Sequence, residues 1–178
     1  MIGLRHKQNL LIDYDPEWPS HFETEREPMQ LVLGNMSKGI ERHGSADLGL
    51  RAKPIIDILV GIPPLSDWVH CQRPLESLGY VFARHAGVPG HYIFSKNRDL
   101  NKRTHLVHIV EFDSLSWRFN LEFREALRQS RNLRERCLTA KKAAVKLAPE
   151  GRAKYNKLKQ TFFDKVNLEN GVKQRKSG

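Results

Sequence analysis

From Lys53 to Ile62 the chain reads KPIIDILVGI, and no other stretch limits the possible folds as much. Its β-branched and apolar residues, opened by Pro54 and closed by Gly61 with Pro63 and Pro64, predict a strand. The apolar character is nearly continuous rather than alternating, which predicts burial on both faces, as in an α/β sheet. Asp57 interrupts it. A carboxylate there loses much of its hydration on folding, a cost that a metal ion or a fixed donor has to offset. Upstream, Gly44 and Ser45 can form a glycine-permitted turn that opens a helix, so that free backbone N–H groups and a hydroxyl face phosphate oxygens. Phosphate at the turn and metal at the strand suit nucleotidyl or phosphoryl transfer. Plainer readings stand beside these: Asp57 bonded to backbone N–H groups at a strand end, and Gly44 with Ser45 as an ordinary helix N-cap.

A Gly-Ser pair, about eleven intervening residues and an Asp in an apolar strand resemble the signature of the nucleotidyltransferase superfamily. GL-x-AKPIIDILV, from Gly49 to Val60, resembles more closely the GrpB family within it. The resemblance continues through YDPEWPSHF at Tyr14, RTHLVHIVE at Arg103, WRFNLEFREALR at Trp117 and YNKLKQTFF at Tyr155. Two departures stand out: the Gly-Ser loop is one residue shorter than the family's and lacks its Pro, and Leu59 stands where the superfamily tends to carry a second carboxylate. The resemblance implies an α/β (α+β) fold, a nucleotidyltransferase-like mixed sheet with flanking helices and a C-terminal helical layer. It implies Mg²⁺ or Mn²⁺ as cofactor and a nucleoside triphosphate as substrate.

At 178 residues one domain is expected, with residues 1–12 as a leader, 13–166 as the domain and 167–178 as a flexible basic tail. No apolar run approaches the roughly 20 residues that cross a bilayer, and the N-terminus does not read as a secretory signal. Cys71 and Cys137 are far apart and lack metal-ligand spacing, which points to a reducing, cytoplasmic setting. The net charge of +10 is placed unevenly: residues 1–116 hold 13 Lys/Arg against 14 Asp/Glu, and residues 117–178 hold 17 against 6. A basic C-terminal half attracts polyanions such as a nucleotide, tRNA or another nucleic acid. It equally describes a solvated helical face.

Along the chain, a helix is predicted over about 20–33 with Ser20 as cap, Pro28 inside it and Gly34 at its end. Lys38–His43 reads as a short strand and 46–51 as a short helix or loop. A helix opens at Ser66 or Asp67, with Trp68, Val69, Leu75 and Leu78 as contacts, and Gly79 ends it. Strands are expected over 80–84, 92–96 and 104–112, with a hairpin turn at Gly87–Gly90 and a polar loop at 97–103. Three helices follow, from Trp117, over 131–148, and from Gly151 with Tyr155, Leu158, Phe162 and Val166 on one face.

Asp57 is the first candidate for chemistry, as ligand to a divalent cation bridging phosphate oxygens. Gly44, Ser45, Lys53, Arg51 and Arg103 are assigned to phosphate or nucleotide, with a solvated surface pair as the alternative for Arg51 and Lys53. On a regular strand His105 and Glu111 share a face about 20 Å apart while His108 points the other way, so the three cannot gather round one ion. His108, which matches the R-T-H-x-x-H-x-V pattern of the resembled family, is expected as base, proton carrier or ligand, or as a core histidine bonded to a carbonyl. Glu111 supplies a catalytic and metal-binding carboxylate at the strand end, or only caps the next helix. The expectation is a metal-dependent transfer of a nucleoside monophosphate to an unknown acceptor. The alternatives are a non-catalytic nucleotide- or RNA-binding module with a degenerate site, and a scaffold binding an acidic partner.

Overall fold

The computed structural model describes residues 1–5, 7–44, 49–84, 88–99 and 102–169. Its elements run β1 (Leu4–Arg5), α1 (Trp18–Leu33), β2 (Gly39–His43), β3 (Ile56–Ile62), α2 (Trp68–Ser77), β4 (Tyr80–Phe82), β5 (Tyr92–Asp99), β6 (Lys102–Glu111), α3 (Leu115–Gln129), α4 (Arg131–Leu147) and α5 (Arg152–Glu169). The sheet has the order β2-β3-β6-β5-β4, with β1 pairing β6. Only β3 and β6 run parallel; the other pairs are antiparallel, so the sheet is mixed.

β3 is buried as its composition predicts: Ile58, Leu59 and Val60 have no exposed surface. Its two faces meet different partners. Ile56, Ile58, Val60 and Ile62 join Phe94, Val107 and Ile109 in the main core, covered by Trp18, Met29 and Leu33 of α1 and Cys71 and Leu75 of α2. Leu59 and Val110 pack on the opposite side against Trp117 of α3. The helix reaches the sheet so closely because Gly39 and Gly61 face each other across β2 and β3. A Cβ at Gly39 would lie 2.8 Å from Trp117, and one at Gly61 would lie 2.8 Å from Phe112 and 2.9 Å from Trp117. Two missing side chains thus make the floor on which the indole lies. Ser114 caps α3 by accepting from the Trp117 N–H at 3.3 Å, and Ser130 caps α4 by accepting from Leu133 at 3.2 Å.

Several sequence expectations shift. α1 starts at Trp18, not Ser20, because Pro19 lies in its first turn, where a missing N–H removes no intrahelical bond. Pro28 and Pro74 lie inside α1 and α2. Val69 is 52% exposed and makes no core contact of the kind expected. Of the polar loop expected at 97–103, residues 97–99 and 102–103 are strand, β5 and β6 pairing as far as Asp99 and Lys102 with register shifts around Asn97, and 100–101 lie outside the described residues. The expected leader is tied into the fold, β1 pairing Arg103 and Lys102, and Asn9 donating to the carbonyls of Ala148 and Gly151 at 2.8 and 2.9 Å. α5 runs on to Glu169; the tail from 170, the start of the expected helix or loop at 46–51 and the start of the Gly87–Gly90 hairpin turn lie outside the described residues. Among the described residues no helix is long and apolar enough to cross a membrane.

Candidate functional site

Asp57 occupies the second position of β3, opposite His43 of β2 and beside Leu106 of β6. It shares the Trp117 face of the sheet with Leu59 and Gly61, but lies at the end that α3 leaves uncovered by Trp117. Its side chain is 32% exposed, so the carboxylate is partly open at the surface of the sheet. Gly44, at φ +83, passes directly over it: a Cβ there would lie 3.0 Å from Asp57 Oδ2. Glycine is therefore required twice at this position, for its left-handed backbone and for its missing side chain.

Histidines fill the surroundings. His108, beside Leu59 in the parallel register, brings Nε2 to 3.8 Å from Asp57 Oδ1. The rings of His43 and His91 stand edge-on to His108, with centroids 5.2 and 5.5 Å away. His91 Nδ1 lies 3.3 Å from His108 Nδ1, and His91 Nε2 lies 2.8 Å from Ser116 Oγ at the start of α3. With both rings neutral, one tautomer set satisfies all three contacts: Ser116 donates to His91, His91 to His108, and His108 towards Asp57.

The charge states follow from burial. Desolvation, aided by His108, pushes His43 down to about 3 and His91 down to about 4, so both are neutral near pH 7. Burial alone would raise the Asp57 carboxyl, but the hydrogen bond from His108, with the positive electrostatic surroundings, holds it below its usual value. It is ionised at neutral pH.

Of the remaining sequence candidates, Lys53 donates to Asn9 Oδ1 at 2.6 Å and stands 3.3 Å over the Tyr155 ring, so its ammonium serves the joint between β3 and α5. Arg51 pairs with Asp13 at 2.9 Å on the surface. Glu111 is exposed and faces Ile62, five strand positions from Asp57, or about 16 Å at ~3.3 Å per residue. Arg103 pairs with Leu4 at the opposite end of β6. Ser45 lies outside the described residues. The structure thus brings together Asp57, Gly44 and His108, and adds His43, His91 and Ser116, which the sequence reading did not single out. Their convergence depends on cross-strand register, and only His43, adjacent to the Gly-Ser pair, carried a local hint.

Among the described residues no group of three His, Cys, Asp or Glu side chains converges to hold a metal ion. Leu59, two residues past Asp57, is fully buried in an apolar cluster. One partly exposed carboxylate does not make a preformed cage. It does suit Mg²⁺, which keeps most of its waters and binds through one or two carboxylates together with substrate phosphates.

The sequence-family model for GrpB protein matches residues 10–169. The chain belongs to the GrpB family. It is similar to the glutamate-rich protein GrpB of Alkalihalophilus pseudofirmus, 28% identical over 170 residues, covering 93% of this chain and 98% of that protein. Two other curated relatives are longer, the chain spanning 41% and 48% of their lengths. Among solved structures, the conserved protein GrpB from Enterococcus faecalis matches with a TM-score of 0.71 and 29% identity, over 88% of this chain and 99% of that one. The poly(U) polymerase Cid1 with MgGTP bound matches with a TM-score of 0.52 and 14% identity, over 76% of this chain and 44% of that one. At that identity the likeness concerns the fold, which is that of a nucleotidyltransferase.

Proposed function

We propose that this chain transfers a nucleoside monophosphate from a nucleoside triphosphate to an acceptor hydroxyl, forming an ester bond at the α-phosphorus and breaking the one to pyrophosphate, which leaves. The observation that carries the reading is Asp57: a partly exposed, ionised carboxylate under a glycine turn, with His108 and no backbone N–H as its partners among the described residues. A divalent cation of the Mg²⁺ type, held by Asp57 and the phosphates, supplies neutralisation of the charge on the phosphate oxygens. Gly44 lets the phosphate chain approach the sheet edge, with Ser45 next to it in sequence. His108 points its Nε2–H at Asp57 and holds that carboxylate in place, and His91 and Ser116 fix the His108 ring by hydrogen bonding, while the proton of the acceptor hydroxyl leaves to solvent. Positioning contributes most of the rate in such a transfer. The cytoplasm is the proposed setting, supported by two buried cysteines that form no disulfide.

One observation favours a second reading. The fully buried Leu59 leaves a single carboxylate, which suits a nucleotide- or RNA-binding module that has no transfer activity. Docking of a polyanion on the basic C-terminal helices draws less support, because Arg131 pairs with Glu135 at 2.8 Å and Arg134 donates to the Leu127 and Arg128 carbonyls at 2.9 and 2.7 Å.

Incubation with labelled nucleoside triphosphates, Mg²⁺ or Mn²⁺ and a cell extract separates the two. Label transfer that Asp57→Asn reduces by about 10³-fold or more is expected. Nucleotide binding that survives Asp57→Asn, with no turnover in either protein, would establish the module instead.

A further inference from the structure

Ser116 ends a line of polar side chains that starts on a carboxylate. Its Oγ lies 2.8 Å from His91 Nε2, His91 Nδ1 lies 3.3 Å from His108 Nδ1, and His108 Nε2 lies 3.8 Å from Asp57 Oδ1. The four residues come from β3, β6, the position before β5 and the first turn of α3. A serine at a helix start ordinarily caps its own helix, as Ser114 and Ser130 do by accepting from Trp117 and Leu133. Ser116 turns its hydroxyl to an imidazole instead. In the tautomers that satisfy these contacts, the His91 Nε2 lone pair faces that hydroxyl and the His91 Nδ1–H is held by His108. A base within hydrogen-bond reach, itself oriented by a third group, is what makes a serine nucleophilic. The start of α3 adds donors. Ser114 accepts from Trp117 with its side chain and from Arg118 with its carbonyl, which leaves the amides of Leu115 and of Ser116 itself without an acceptor in the helix. Such N–H groups, at the positive end of a helix, suit a carbonyl oxygen that gains charge. Ser116 and His91 are both partly exposed, and Phe112, 36% exposed, and Leu115, 72% exposed, put apolar surface just ahead of the serine in the chain.

We propose that Ser116 is a nucleophile for acyl transfer, with His91 as its base and His108 and Asp57 as positioning residues, and that its substrate is a small activated ester with an apolar acyl group. Oγ bonds to the carbonyl carbon while its proton passes to His91 Nε2. The bond from that carbon to the leaving oxygen then breaks, and His91 returns the proton to the leaving alcohol. The product is acyl-Ser116, from which water frees the acyl group as a carboxylic acid and restores the hydroxyl. The site shares Asp57 with the nucleotidyl transfer proposed above and does not rest on it.

The test uses the full chain without nucleotide or metal. An alkyl fluorophosphonate is the covalent probe, its adduct located by peptide mass spectrometry, and p-nitrophenyl butyrate is the ester whose hydrolysis is followed. The unaltered protein is expected to carry the adduct on Ser116, a result that no variant has to fold to give. Ser116→Ala is expected to abolish that adduct and to lower ester hydrolysis about 10²-fold or more. His91→Asn keeps the serine and removes the base, and should slow both reactions to a similar extent. Asp57→Asn should slow labelling about tenfold with the adduct still on Ser116, a change in rate that a serine with only a structural part would not show. Failure to label Ser116 in the unaltered protein would overturn the proposal, as would rates of labelling and hydrolysis in His91→Asn equal to those of the unaltered protein. Nucleotidyl transfer without any adduct on Ser116 would sink the acyl site and leave the proposed function standing; an adduct on Ser116 without nucleotidyl transfer would do the reverse.

Discussion

Two lysines withdrawn from solvent to different degrees, Lys96 about one-third exposed on the sheet and Lys141 buried on α4, are treated differently. On the α1–α2 face, Lys96 donates to Glu25 Oε1 and Oε2 at 2.8 and 3.0 Å, and the Tyr80 hydroxyl donates to the same carboxylate at 2.8 Å. Glu25 is 8% exposed, and every charge there has a protein partner. On the α3–α5 side Lys141 has none among the described residues, and Asp57 has a histidine at 3.8 Å and stays 32% exposed. A buried network that closes on itself holds structure together, whereas one left open retains binding energy for something that arrives later. The contrast separates a joint from a site without appeal to any relative.

The largest effect should come from undoing the floor that brings α3 to the sheet. Trp117→Ala removes an indole packed on Gly39 and Gly61, and should cost about 3–5 kcal/mol in urea unfolding. Transfer activity should fall with it, since Ser116 and its contact to His91 move with the helix. Opposite signs are expected next from one substitution made on the two faces. Lys96→Met leaves Glu25 and should destabilise by about 2 kcal/mol, while Lys141→Met should stabilise by about 1 kcal/mol. Equal signs in matched chemical denaturation would break the comparison.

Alkaline pH sharpens it further. Lys141 ionises at about 8 when folded and near 10.5 when unfolded, so between these values the unfolded chain binds more protons and stability rises with pH. The gain from pH 8 to 10 should be about 1–2 kcal/mol, and Lys141→Met should remove it. On the acid side His91, at about 4 when folded against 6.5 unfolded, contributes stability that is complete above pH 6.5 and is lost as pH falls towards 4. His91→Asn should flatten that limb by about 1 kcal/mol or less, the smallest of these effects.

Much of the fold was legible in the chain. KPIIDILVGI announced a doubly covered strand, and Leu59 and Val60 are fully buried. The resemblance to the GrpB family, carried by GL-x-AKPIIDILV and the motifs around it, led to the family and its fold. The extension of β5 to Asp99 and of β6 back to Lys102 was hidden, because polar residues at the end of a strand pair and in a loop have the same composition. Lys141 was visible in principle, at the fourth position after Cys137 on an otherwise apolar helical stripe.

What the amino-acid order determined alone is local: where strands and helices form, which of their faces are apolar, and that a carboxylate at position 57 would be drawn into the protein. Those properties depend on spacing along one segment, at two residues per strand period and 3.6 per helical turn. Only the tertiary structure decided what that carboxylate meets. The antiparallel register set His43 opposite it, the parallel register set His108 beside Leu59, and the glycine floor let α3 bring Ser116 to His91. The fold likewise sent Lys53 to Asn9 and left Lys141 unpaired among the described residues, because a charge finds its partners through space, and spacing along the chain does not encode that distance.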